Sequence, residues 1–116
     1  MNLKILDENI GKPYLEQTMG CMYPAYLLRP DVPEYDFNLD IDYFLPLVKK
    51  HCKEIDIRTI ESGDLVMIKI RSDYHFGIFK EPNMIYHCTQ NSKLRLSRID
   101  IYKKYIVKAF KIRSFN

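Results

Sequence analysis

From Ser62 onward the chain reads as short apolar runs separated by turn clusters. The turn Ser62-Gly63-Asp64 precedes Leu65–Ile70, an apolar, β-prone run. Arg71-Ser72-Asp73 marks the next turn and Tyr74–Phe79 the next strand. Glu81-Pro82-Asn83 turns the chain again, and Met84–Thr89 returns as a third strand. Three strands joined this closely predict an antiparallel meander. Further on, Lys93–Arg98 alternates basic residues with Leu94 and Leu96, Asp100–Tyr105 reads as a short helical turn, and Tyr105–Ile112 alternates as a final strand.

The first half has a different texture. Residues 3–19 read as a helix, or as two short helical pieces broken near Gly11-Lys12-Pro13. Gly20 then gives freedom to turn, and Cys21 stands just before a helix opened by Pro24 and stopped by Pro30. The segment 30–38, with two prolines and acidic side chains, reads as a loop. A further helix, capped by Asp40 or Asp42, is expected to run to about Lys53. Its apolar face would be Tyr43, Phe44, Leu47, Val48 and Cys52, with Pro46 marking its start or a kink. Helices followed by a meander predict an α+β fold, and 116 residues suit a single domain over 1–116.

Composition narrows the function classes. No apolar stretch is long enough to span a membrane, and no secretory pattern opens the chain, so a cytoplasmic protein is expected unless lysis or a phage particle carries it out. Three cysteines, Cys21, Cys52 and Cys88, do not form a disulfide framework. The net charge of +3 is uneven: residues 89–116 hold eight basic side chains and one acidic, Asp100. Such a tail with interleaved aromatics is a candidate polyanion surface. Its regular apolar spacing favours the simpler reading, cations covering the solvent side of terminal strands, and nucleic acid is not the expected partner.

The chemistry gathers elsewhere. His75 and His87 fall on consecutive strands of the meander, where cross-strand neighbours lie about 5 Å apart. A strand needs no histidine to fold. A thiol at a helix start has its pKa lowered by the helix dipole, and an imidazole within reach takes its proton. A third polar group fixes that imidazole's tautomer. Cys21, His75 and His87 fill these roles in turn. Singly, each has a plainer reading: Cys21 as a small buried hydrophobe, each histidine as a satisfied ring. Cys52 reads as core and His51 as an exposed helix residue. A metal site built from His51, His75, His87 and Cys88 matches no zinc spacing.

Several of these runs resemble the NlpC-type papain-like cysteine peptidases, bacterial cell-wall hydrolases that also occur in phage tails. Gly11-Lys12-Pro13-Tyr14 resembles that family's Gly-x-Pro-Tyr approach. Gly63-Asp64-Leu65-Val66 is similar to its Gly-Asp-Leu-Val strand start, His75-Phe76-Gly77-Ile78-Phe79 to its His-Val-Gly-Ile-Tyr strand, and Met84-Ile85-Tyr86-His87 to its Met-Ile-His segment. The resemblance implies a papain-like fold with N-terminal helices on a small antiparallel sheet. It implies Cys21 as nucleophile, His75 as general base, His87 as its orienting partner, and Tyr14 lining the site, as an oxyanion donor or in packing. No metal or cofactor is implied. The implied substrate is a peptide or amide, in cell-wall members a peptidoglycan stem peptide. Phage members imply tail proteins as partners.

The chain departs from that pattern at the nucleophile. Gly20-Cys21-Met22-Tyr23-Pro24 stands where the family has Asp-Cys-Ser-Gly or Asp-Cys-Trp-Gly. Two readings therefore stay open: a Cys-His-His hydrolase, or an inactive papain-like scaffold with a binding or tail-assembly role. The permuted lecithin-retinol-acyltransferase-like proteins share the Gly-Asp-Leu-x-x-Ile and His-x-x-Ile-Tyr strands but place the nucleophilic cysteine after the histidines, in an Asn-Cys-Glu-His-like helix. No such segment follows His87, and alternation turns Cys88 to the face opposite His87.

Overall fold

The computed structural model describes residues 3–12, 20–32, 41–88 and 93–112. Tyr14, and the cap position Asp40, lie outside the described residues. Three helices, α1 (Lys4–Asn9), α2 (Tyr23–Leu28) and α3 (Ile41–His51), precede or flank six strands. These are β1 (Cys52–Ile55), β2 (Leu65–Ile70), β3 (Asp73–Lys80), β4 (Met84–Cys88), β5 (Leu94–Arg98) and β6 (Ile106–Ile112). They form one antiparallel sheet in the order β1-β6-β2-β3-β4-β5, so the fold is α+β. None of the described helices is long and apolar enough to cross a membrane.

The meander β2-β3-β4 forms as its turn chemistry predicts, and β5 pairs antiparallel beside β4. Gly63 supplies a positive φ before β2, and Arg71 takes one in the turn to β3. β2 is central and covered on both sides, which explains its unbroken apolar run. Leu65 and Met67 face a core shared with Leu6, Met22, Ala25, Phe44 and Val48 from the helices. Val66 and Ile68 face a second core with Ile85, Ile99 and Ala109, covered in part by Tyr102 and Tyr105 from the 3-10 turns at 99–105. Strand alternation thus makes two different faces of one sheet.

Two expectations change around α3. The helix ends at His51, and Cys52 opens β1 rather than lying mid-helix, because Cys52–Ile55 pairs with Ala109–Ile112 at the far end of the chain. Such long-range pairing overrides local helix signals. Pro46 lies inside α3, at neither its start nor its end. The buried face is narrower than expected: Phe44 and Val48 are buried, whereas Tyr43 is 74% exposed and Leu47 39%. Residues four apart stack on one helix face, and here that ridge meets Phe76 edge-on, with ring centroids 5.4 Å apart.

Three polar contacts pin the helices and the sheet edge. Tyr86 Oη donates to Asp7 Oδ1 at 2.6 Å, tying β4 to α1. Arg29, buried just past α2, donates from Nε to Asp31 at 2.9 Å and from Nη1 to the His51 carbonyl at the end of α3. His51 is therefore half-buried beside Asp31, with Nδ1 3.3 Å from its carboxylate, not an exposed helix residue. At the start of β2, buried Asp64 accepts from the Glu61 N–H at 2.8 Å and from Lys111 Nζ at 3.2 Å. Lys108 likewise reaches Glu54, so two cations of the basic tail are spent on strand-to-strand pairs.

Gly77 sets the closest approach in the sheet. It pairs with His87 across β3 and β4. A Cβ there would lie 2.5 Å from Ile85 Cδ1 and 2.8 Å from the Tyr86 carbonyl oxygen. The carbonyl belongs to the ladder and cannot step aside. Gly77→Ala is therefore expected to cost about 1–3 kcal/mol through overpacking, read as a lower urea midpoint at unchanged slope. An unchanged midpoint would show that the strands can part at no cost.

Candidate active site

Alternation along β3 sends Phe76 and Ile78 into the helix-side core. It turns His75 and Gly77 to the other face, where His75 pairs across to Ile68 of the second core. β4 repeats the pattern: Tyr86 and Cys88 face the helices, Ile85 and His87 the second core. His75 lies diagonally from His87, two residues beyond Gly77, and the two rings meet. His75 Nε2 lies 3.1 Å from His87 Nδ1. The rings are edge-to-face, with centroids 5.3 Å apart.

Two residues missed in the sequence complete this cluster. Ser97 Oγ, on β5, lies 2.8 Å from His87 Nε2. His75, His87 and Ser97 therefore form a diagonal hydrogen-bonded row across three neighbouring strands. Ser97 sits opposite Ile85 in the register, on the face that carries His87. A serine on a strand is unremarkable in composition, and only this register reveals it. Tyr102 touches both imidazoles, with ring centroids 6.5 Å from His75 and 5.6 Å from His87.

Cys21 approaches from the helix side. It lies in a 3-10 turn, Gly20–Met22, that leads directly into α2. The paired residues of β3 and β4 run from Lys80↔Met84 to Gly77↔His87. One step further, the Phe76 backbone N–H points at the Cys21 thiol. The thiol is thus held at the peptide joining His75 to Phe76, where β3 and β4 cease to pair. His75 Nε2 faces His87, which leaves Nδ1, the ring nitrogen nearer the backbone, for any other partner.

The electrostatics differ from the sequence-based expectation. Cys21 is 3% exposed, and burial pushes its thiol up to about 12. Bonds from the Phe76 N–H and its own N–H favour the thiolate but do not offset that burial. A turn leading into a six-residue helix carries too little dipole to reverse it. Cys88 lies beside Cys21 in the same core, and burial, then the Cys21 charge, raises it to about 12. Burial, then His87, lowers His75 to about 4. Burial, then Arg95, lowers His87. At neutral pH the site therefore holds a protonated thiol and two neutral imidazoles. Among the described residues, no three His, Cys, Asp or Glu side chains gather as a metal site, and His51 stands with Asp31, apart from this cluster.

The geometry can be set beside known proteins. No protein-family model and no curated protein matches the sequence. A solved structure matches in fold: a protein described as similar to lipoprotein, NLP/P60 family, from Staphylococcus aureus subsp. aureus Mu50, with a TM-score of 0.64 and 13% identity. The two chains share a fold. The match covers 97% of this chain and 42% of the Staphylococcus aureus chain, so this chain spans less than half of that neighbour's length. At this identity the likeness speaks for the architecture alone.

Burial of His75 makes stability pH-dependent. Its folded pKa, about 4, lies below its ordinary value of 6.5. The unfolded chain therefore binds the proton more readily, and the stabilisation present above pH 6.5 is lost as pH falls toward 4. The loss is expected to be on the order of 3 kcal/mol. Urea midpoints measured between pH 7.5 and 4.5 should fall for the wild type and fall less for His75→Gln. Parallel curves would mean that His75 is not held as a buried neutral ring.

Proposed function

We propose that the protein is a papain-like cysteine hydrolase that cleaves a peptide or amide bond, with Cys21 as nucleophile, His75 as general base and His87 as the residue that orients it. The observation that carries this reading is the hydrogen-bonded row of His75, His87 and Ser97, with the Cys21 thiol held at the peptide that follows His75. His75 is anchored by Nε2 and keeps Nδ1 for a proton in transit. The fold shared with an NLP/P60 protein supports the same assignment, and it makes a peptidoglycan stem peptide the first substrate to try. Tyr14 is the proposed further lining residue.

The resting state sets the mechanism. A thiol at about 12 and an imidazole at about 4 do not form an ion pair at neutral pH. The proton therefore leaves Sγ for His75 Nδ1 as Sγ bonds to the carbonyl carbon. The imidazolium then returns the proton to the departing amine, and water, activated by the same ring, releases the acyl group. The Cys21 backbone N–H is the proposed donor to the oxyanion. Removing the thiol proton in this way is costly, and turnover is expected to be slow unless substrate binding alters the burial of the pair.

A second reading has its own observation. A thiol 3% exposed and raised to about 12 is what a packing cysteine looks like. On that reading the chain keeps the fold as a scaffold for binding, with phage tail proteins as candidate partners. Hydrolysis separates the two. Amine release from stem peptides prepared from peptidoglycan, followed by mass spectrometry, should fall at least about a thousandfold in Cys21→Ala, with the urea midpoint little changed. The acid limb of kcat/KM should fall near pH 4, where His75 gains a proton. Equal product from wild type and Cys21→Ala would overturn the hydrolase and leave the scaffold.

A further inference from the structure

We propose that Ser97 is a positioning residue that accepts from His87 Nε2–H and so supports the arrangement of both imidazoles in which His75 can act as a base. This rests on the proposed role of His75. Its argument begins with proton counting. A neutral imidazole carries one N–H and one lone pair. Each of the two contacts in the row, 3.1 Å between His75 Nε2 and His87 Nδ1 and 2.8 Å between His87 Nε2 and Ser97 Oγ, needs one of each.

Only two self-consistent arrangements exist. In the first, His75 Nε2–H donates to His87 Nδ1, and His87 Nε2–H donates to Ser97 Oγ. His75 Nδ1 then carries a lone pair, as a base requires. In the second, the Ser97 hydroxyl donates to His87 Nε2, and His87 Nδ1–H donates to His75 Nε2. His75 Nδ1 then carries the proton and cannot accept another. The two rings switch together, because one bond links them. His87 is 3% exposed, so bulk water does not set its tautomer. Ser97 is the group at the end of the row, and by accepting from His87 Nε2–H it supports the first arrangement.

The first arrangement is the one that the proposed proton transfer from Cys21 requires, because it leaves the lone pair on His75 Nδ1. Ser97 then serves as an acceptor, which a threonine can match and an alanine cannot. An aspartate, having no proton to give near neutral pH, would hold the same direction more firmly.

The test is 15N NMR of the imidazole rings in the full chain at pH 7, with hydrolysis of the same stem peptides measured in parallel. Wild type and Ser97→Thr should show both rings protonated at Nε2 with Nδ1 unprotonated. Ser97→Ala should lose that pattern and lower kcat by about 10–100-fold, as outer-shell partners of histidine do, with KM little changed. Nδ1–H on either ring in the wild type would overturn the proposal, whatever the variants do. So would an Ala variant with wild-type tautomers and wild-type kcat. Should no stem peptide be cleaved at all, the hydrolase reading fails while the ring spectra still decide the role of Ser97.

Discussion

The site depends on where one ladder stops. β3 and β4 pair as far as Gly77↔His87, and the next amide along β3, that of Phe76, faces a sulfur instead of continuing the sheet. The pleat supplies the rest. Because side chains alternate, Phe76 and Cys88 anchor the helices on one face while His75 and His87 line up on the other. Gly77 lets the strands and Ile85 close tightly around this point. A single-residue slip in register would exchange the two faces and scatter the histidines into the helix-side core.

Burial governs the electrostatics of everything placed there. It raises two thiols and lowers two imidazoles, and the local dipoles and N–H bonds that oppose it are smaller. A site built this way is neutral at rest and hydrogen-bonded throughout. On the proposed mechanism, reactivity comes from a proton passing from the thiol to His75 Nδ1, not from a charge held ready. That same neutrality is what makes the direction of the row matter, since a ring with its proton on the wrong nitrogen is chemically idle.

Much of this was legible in the residues. The turns at Gly63, Arg71 and Pro82 define the meander, and two histidines on consecutive strands with compatible alternation predict that their rings meet. Pattern failed where the sheet is non-local. Cys52–Ile55 carries charged residues and follows a helix, and only pairing with Ala109–Ile112 makes it a strand. Ser97 and Tyr102 escaped for a similar reason: nothing nearby in sequence marks them, and strand register brings Ser97 to His87 while the 3-10 turns after β5 bring Tyr102 there. The thiol's surroundings were misjudged because a helix start was weighed without the burial that accompanies it. The buried Arg29, which joins the ends of α2 and α3, also leaves no periodic trace.

The central claim is that His75 and the Cys21 thiol work as one unit. The most direct measurement is the rate of Cys21 alkylation by iodoacetamide from pH 5 to 9, followed by peptide mass spectrometry, in wild type and His75→Gln. The account predicts a wild-type rate that is nearly level with pH, because a neutral imidazole removes the proton. In the variant it predicts a much slower rate that climbs about tenfold per pH unit, as for an unassisted thiol of high pKa. Identical profiles would contradict it.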